Sequence, residues 1–593
     1  MLSTMQDGDL SVARLLRYGS TVHGASTTRT WTGSGSRVQD YRGVGADAAR
    51  LAHGLRALGI TGDQRVATFM WNNNEHLAAY LAVPAMGAVL HTLNIRLSAA
   101  ELAFIASQAE DQVVIADASL APQLSAALRR METVRHVVVA NGDAAAVEAP
   151  PGVRVHGYDE LIAAQPDQFR WPAVDERAAA AMCYTSGTTG DPKGVVYSHR
   201  SIWLHSMQIC MSDAMGLANS DTALAIVPMF HAMCWGLPYA AMMVGTSLVM
   251  PGHFLQPPAL AEIFAAERPT FAAAVPTIWQ GLLTHLTDHP QDISHIRQLV
   301  SGGSACPPSL MKAYSERYGA ELLSTWGMTE MSPLGTVAHP PRSVTDDAYW
   351  AYRVTQGRFP ASVGARIVDD AGEELPWDND SVGELEVSGP WVTGAYYSAN
   401  GAAASPGAFH DGWLRTGDVG RISPDGFLTL TDRSKDVIKS GGEWISSVGL
   451  ENAVMAHPAV AEAAVIGIPD EKWQERPLVA VVTKPGHQVT AAELRNFLDG
   501  KVARWQLPEH WAFIEEVPKT SVGKFDKKLL RARYSRGGLT TRQAQLSLIR
   551  SDGVRRSRLD SPPGRPPARP PRYETTALPL SRRAKDVSNC HRL

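Results

Sequence analysis

The apolar run from Ala178 to Cys183 opens directly into Tyr184-Thr-Ser-Gly-Thr-Thr-Gly-Asp-Pro-Lys-Gly194, and this junction constrains the fold more than any other segment. A buried strand ending in a loop of glycines and hydroxyls turns sharply and presents backbone N–H groups to an anion, while Lys193 adds positive charge. The segment reads as a phosphate cradle at a strand end, which places the chain among α/β folds. A Walker loop needs Gly-Lys followed by Ser or Thr; here Pro192 precedes Lys193 and Gly194 follows it, so a P-loop kinase is disfavoured.

The segments before the junction agree. Helical periodicity over Asp47–Leu58, closed by Gly59, and over Asn74–Gly87 alternates with strand patterns at Arg65–Met70, Gln112–Ala116 and His136–Val139. Such alternation predicts helices packed on largely parallel sheets. Farther along, Val419–Ile422 and Phe427–Leu430 flank Ser-Pro-Asp-Gly, which predicts a β-hairpin. The charged run Asp432-Arg-Ser-Lys-Asp436 then reads as a domain joint. A small α+β pattern follows: helix 448–456, strands 463–468 and 478–483, helix 491–502, strand 511–514.

Hydrophobic residues make up 45% of the 593, enough for more than one large core. The net charge of -4 gives no global basic field for nucleic acid. From Arg536 to Leu593, however, 13 Lys/Arg face four Asp/Glu, and 561–572 is rich in Pro and Arg, so a disordered tail is expected over 536–593. Five scattered cysteines form no CxxC or Cys/His pattern, consistent with reduced thiols. Residues 222–261 carry no charged side chain, yet Pro228, Gly236, Pro238 and Gly245 interrupt them; pocket-lining strands and helices are expected rather than a membrane span. The acidic start MLSTMQDGDL lacks a secretory pattern, and a cytoplasmic protein is the expectation.

Further motifs follow in order. They are Ser301-Gly-Gly-Ser-Ala305, Ser324-Thr-Trp-Gly-Met-Thr-Glu330, Trp413-Leu-Arg-Thr-Gly-Asp418, Asp432-Arg-Ser-Lys-Asp-Val-Ile-Lys-Ser-Gly-Gly-Glu-Trp444 and Pro518-Lys-Thr-Ser-Val-Gly-Lys524. With the loop at 184–194, the set resembles the adenylate-forming (AMP-binding) enzymes over residues 10–535. The subgroup it most resembles is the bacterial medium- and long-chain fatty acyl-CoA synthetases. The resemblance implies a large multi-sheet α/β N-terminal domain, 1–431, and a small mobile α+β lid, 432–535. It also implies ATP, Mg2+ and coenzyme A as reactants and cofactor, a fatty acid as substrate, peripheral membrane contact at most, and a homodimer.

Site residues follow from the same resemblance. Ser186, Gly187, Thr188, Thr189 and Lys193 would cradle phosphates, with Gly302, Gly303, Ser304 and Ala305 lining the adenine pocket beside Thr325, Trp326 and Gly327. The family usually has Tyr where Trp326 stands; the stacking face is kept and a hydroxyl is lost. Thr329 would contact the α-phosphate, and Thr185 and Glu330 would be the magnesium-associated oxygens; alone, Thr329-Glu330 reads equally as a helix start. Asp418 would accept the ribose hydroxyls beside Arg433. Lys524 would bridge the attacking carboxylate and the α-phosphate, a role that suits a mobile ammonium between two anions. Lys435 would be the pivot between half-reactions, Lys439 would reach the phosphate or acyl-adenylate, and Trp444 would face the adenylate. Gly441, Gly442 and Glu443 would form the loop that replaces Lys524 at the active site when the thiol enters. His231 and Trp235 would line the acyl slot, Trp235 as its gate. An aryl or short branched-chain acid ligase, and a nucleotide-binding scaffold without catalysis, are the alternative readings.

Overall fold

The computed structural model describes residues 1, 3–185, 192–398, 407–433, 435–440, 443–520 and 523–543, which belong to one compact unit. Among them are three sheets of seven, fifteen and six strands.

In the seven-stranded sheet, Arg154–Gly157, His136–Ala140, Asp111–Asp117, Arg65–Phe69, Val89–Thr92 and Ala179–Tyr184 run parallel, and Gly194–Ser198 returns antiparallel. Val113–Ala116 and Val137–Val139 are almost wholly buried, as strands covered on both faces must be. The helix expected at Asp47 begins earlier, spanning Tyr41–Ala57. Asp40 caps it by accepting from the Gly43 N–H at 2.8 Å, a bond worth about 1 kcal/mol. Gly43 and Gly45 break the apolar period there and hide the true start.

The fifteen-stranded sheet is parallel from Ser247–Met250 across to Leu322–Gly327, then antiparallel from Leu334–Val337 to Phe427–Arg433. The expectation of largely parallel sheets concerns the segments before residue 180, and the seven-stranded sheet agrees with it; in the fifteen-stranded sheet, beyond Gly327, the pairing becomes antiparallel. The hairpin is present as Trp413–Ile422 paired with Phe427–Arg433. The uncharged stretch folds into strand Thr222–Leu224, helix Leu237–Val244 and strand Ser247–Met250, and enters helix Pro257–Glu267. Among the described residues no helix is long and apolar enough to cross a membrane.

The six-stranded sheet is built from Ile438–Ser440, Glu443–Ile445, Val460–Asp470, Gln474–Thr483, His510–Phe513 and Thr541–Gln543. Its apolar clusters, around Trp511 and Ile466, draw only on residues from Ile438 onward, so the small C-terminal domain has its own core. Helix Ala491–Leu498 ends short of the expected Val502 because Asp499 turns extended and Gly500 takes φ +78°. Thr541–Gln543 pairs with His510–Ala512, so regular structure continues past Ser535, where composition places the start of the tail. Residues 544–593 of that tail lie outside the described residues.

Candidate active site

Both domains line one cleft of about 1870 Å³. Single small ligands occupy roughly 300–1,000 Å³, so there is room for a nucleotide and a second reactant. Thr185, Lys193, His231, Trp235, Gly302, Gly303, Ser304, Ala305, Thr325, Trp326, Gly327, Thr329, Glu330, Asp418, Arg433, Lys435 and Lys524 all line it. Residues far apart in sequence thus converge.

The strand Ala179–Tyr184 delivers Thr185 to the cleft. The Thr185 N–H donates to the Lys193 carbonyl at 2.9 Å, tying together the two ends of the glycine-rich loop. Ser186, Gly187, Thr188 and Thr189 lie outside the described residues. Lys193 Nζ stands 4.8 Å from the centre of the Tyr396 ring, and the Tyr396 hydroxyl donates to Glu330 Oε1 at 2.8 Å. Tyr197 donates to the Thr329 carbonyl at 2.6 Å. Glu330 is buried on a short turn and lines the cleft that Thr185 also lines, so a carboxylate and a hydroxyl, oxygen donors of the kind Mg2+ takes, face the same cleft.

Asp418 is buried and holds two donors. Trp326 Nε1 donates to Oδ2 at 2.8 Å, and Arg433 Nε approaches Oδ1 at 2.8 Å. The indole therefore supplies a donor of its own where the family usually carries a hydroxyl, and it fixes the carboxylate. Trp326→Phe keeps an aromatic face and loses the donor. Its expected effect is a three- to tenfold rise in KM for ATP with kcat little changed, about the net worth of one ordinary hydrogen bond, since Arg433 still holds the carboxylate. Steady-state kinetics at saturating acid checks it; an unchanged KM removes the positioning role.

Lys524 reaches the cleft from the small domain. Its Cε lies 3.4 Å from where a Cβ on Gly303 would stand. Burial first, then the nearby Arg433 charge, lowers its pKa to about 8. Gly523, at φ +83°, lets the chain turn into the cleft, and the Lys524 N–H donates to Thr520 Oγ1 at 3.2 Å. Lys435 is exposed, and its carbonyl accepts from Arg531 Nη2 at 3.3 Å.

Lys439 is the residue the structure does not bring in. It lies exposed on strand Ile438–Ser440 and does not line the cleft. Ile438 and Ser440 are buried, so strand alternation turns Lys439 to the opposite face. The Trp444 and Glu443 backbones pair with Lys439 and Ser440; Gly441 and Gly442 lie outside the described residues.

In the segment expected to line the acyl slot, Ala232, Met233, Cys234, Trp235 and Gly236 run consecutively at φ between +43° and +75°. For the four non-glycine residues such left-handed backbone costs roughly 1–2 kcal/mol each. The turn presses Trp235 Cη2 to 3.0 Å from the position of a Cβ on Gly302. His231 and His205 also line this end; burial lowers both to a pKa of about 3, leaving neutral, largely apolar walls. Trp235→Ala is expected to shift the chain-length optimum of the acid by two or more carbons while KM for ATP moves less than about twofold, because the substitution opens apolar volume where the ring packs on Gly302. Rates across a homologous acid series check this, and an unaltered profile overturns the gate.

Tyr396 and Tyr197 belong to the site and were not singled out in the sequence. The adjacent pair Tyr396-Tyr397 after Gly394 is the signal that could have found the first; nothing local marks the second.

The model of the AMP-binding enzyme family matches residues 24–397, and that of the AMP-binding enzyme C-terminal domain matches 449–524. The chain belongs to the AMP-binding enzyme family and is an acid–CoA ligase of the AMP-forming type. It is 44% identical over 538 residues to the long-chain-fatty-acid–CoA ligase of Thermus thermophilus (90% of this chain, 97% of that one). It is 41% identical over 540 residues to the medium-chain-fatty-acid–CoA ligase of Ectopseudomonas oleovorans (90% and 98%). It is 42% identical over 539 residues to the 3-methylmercaptopropionyl-CoA ligase of Ruegeria pomeroyi (90% and 99%). The crystal structure of the anthranilate CoA ligase AuaEII with anthranoyl-AMP shares the fold, at TM-score 0.81 and 24% identity over 91% of this chain and 99% of that one.

Proposed function

We propose that this ligase activates medium- and long-chain fatty acids, using ATP to form an acyl-adenylate and coenzyme A to release the thioester. The observation that carries the reading is Lys524 standing at Gly303 in the same cleft as Thr185, Glu330 and Asp418. Trp326 offers a face to adenine, and the Asp418 carboxylate accepts from ribose hydroxyls. The ends of the loop at Thr185 and Lys193 meet the phosphates. The ammonium of Lys524 sits between the acid carboxylate and the α-phosphate, reducing their repulsion as the carboxylate oxygen attacks phosphorus and pyrophosphate leaves. Thr185 and Glu330 would hold Mg2+, which neutralises phosphate charge when bound. After pyrophosphate leaves, the small domain turns about Lys435 and the 441–443 loop admits the thiol, whose sulfur attacks the acyl carbon and expels AMP.

The apolar groups that line the cleft around Trp235, among them Ala232, Met215 and Leu334, support an alkyl chain. A second reading, a short-chain acid, is favoured by the likeness to the Ruegeria ligase. One assay separates them: AMP release with straight-chain acids from butanoate to octadecanoate, 3-(methylthio)propanoate and several aryl acids, with and without CoA. Highest kcat/KM at medium or long chains bears out the proposal; a maximum at the short thioether or an aryl acid replaces it; no AMP with any acid leaves a nucleotide-binding scaffold. The proposal extends to a cytoplasmic protein that meets membranes only peripherally and to a homodimer, which sedimentation velocity on the full chain tests.

A further inference from the structure

Asp432 lies at the end of strand Phe427–Arg433, paired with Val419 in the fifteen-stranded sheet, and is 4% exposed. It therefore sits on the large-domain side of Lys435. Every partner of its outer oxygen sits on the other side. The Ser447 N–H donates to Oδ2 at 2.6 Å, and the Ser447 hydroxyl bonds the same oxygen. Lys527 Nζ donates to the Ser447 hydroxyl at 2.6 Å and pairs with Glu451 at 2.8 Å. Glu451 also accepts from the Val465 N–H at 2.8 Å, which roots the cluster in the small sheet. The Ser446 hydroxyl bonds the Thr431 carbonyl. One backbone carbonyl of the large domain, at Thr431, and one carboxylate, of Asp432, thus clasp the first turn of helix Ser447–Met455, where a carboxylate is also favoured by the helix dipole.

The other end of the cluster leads to the catalytic lysine. Lys527 opens helix Lys527–Ser535, whose N-cap is Asp526 through a 2.9 Å bond to the Leu529 N–H. Lys524 lies on the turn just before it. Holding Lys527 against Ser447 and Asp432 therefore fixes where Lys524, three residues before it, sits relative to the large domain. Charge-assisted bonds with both partners buried are the strong kind, and their loss is felt in full.

We propose that Asp432 is a positioning residue, a state-selective latch that holds the small domain with Lys524 in the nucleotide cleft and parts from Ser447 when that domain turns about Lys435. The inference rests on the two-step reaction proposed above. It adds that the equilibrium between the two arrangements is biased at this clasp, so weakening it disfavours the first half-reaction and leaves the second intact or faster.

The two half-reactions, measured separately on the full chain, test it. Asp432→Asn keeps the shape and removes the charge; Ser447→Ala keeps the charge and removes the relay. Each is expected to lower acid-dependent pyrophosphate–ATP exchange by about tenfold, the effect of one lost charge-assisted bond on a two-state balance. Acyl-CoA formation from preformed acyl-AMP should hold or rise. Trypsin cleavage at Arg433 or Lys435 in the ligand-free enzyme, a readout independent of catalysis, should be several times faster in both variants. Equal loss of both half-reactions at unchanged Tm, or unchanged exchange, overturns the latch. If the wild-type chain makes no AMP with any acid, the reaction proposed above fails, and the cleavage rates alone decide the latch: acceleration supports it and no acceleration overturns it.

Discussion

Lys524→Ala is expected to lose acid-dependent pyrophosphate release by on the order of 10²-fold or more, as when a transition-state charge partner is removed. Thioester formation from supplied acyl-AMP should fall less than about threefold, because that step proceeds after the small domain has turned. Rapid-quench measurement of the two steps gives the comparison; a parallel drop in both, with the variant folded, would show that Lys524 serves structure instead. The protonation state gives a second handle. Burial and Arg433 hold the Lys524 pKa at about 8, and the cation is the working form. In the free enzyme, kcat/KM for ATP in adenylation therefore declines as pH rises through about 8. Bound triphosphate favours the cation, so the matching decline in kcat lies at higher pH. Lys524→Arg should show no such alkaline limb, since a guanidinium stays charged throughout that range.

Asp418→Ala is expected to lower kcat/KM for ATP by on the order of 10²-fold, the loss of a carboxylate that accepts from two hydroxyls. The acid KM should move little, since Asp418 lies on the nucleotide side. The variant also strands the Trp326 indole N–H and the Arg433 guanidinium, which meet across that carboxylate at 2.8 Å each. Asp418→Asn keeps an acceptor and should recover part of the loss. Isothermal titration with ATP in the absence of acid reads this directly, and nucleotide affinity equal to wild type in Asp418→Ala would remove Asp418 from the ribose.

Much of this was legible because the chemistry-bearing residues sit in short, ordered blocks whose glycines mark where backbone must approach something closely. Gly303, at φ +83° against Lys524 Cε, is one such place. Strands away from those blocks were legible from β-branched runs such as Val137–Val139, which local pattern alone defines. What escaped depends on distance or parity. Lys439 falls on the outward face of its strand, a fact fixed by the register of Ile438–Ser440 against Glu443–Ile445 and not by its place in the motif. Tyr396 reaches Glu330 across 66 residues, and Asp432 reaches Ser447 across 15 and, through it, Lys527 across a further 80. Composition could not see Thr541–Gln543 join a sheet, because that strand is short, polar and held by main-chain pairing with Trp511 and its neighbours.

The contact between Trp235 and Gly302 makes two distant positions a single unit of volume. A methyl group at 302 would stand 3.0 Å from the indole edge, so bulk on one wall must be matched by retreat on the other. Reshaping this wall is therefore a problem of correlated substitutions: bulk added at 302 is expected to fail alone and to succeed once the ring at 235 is trimmed, and screening 302 by itself would miss it.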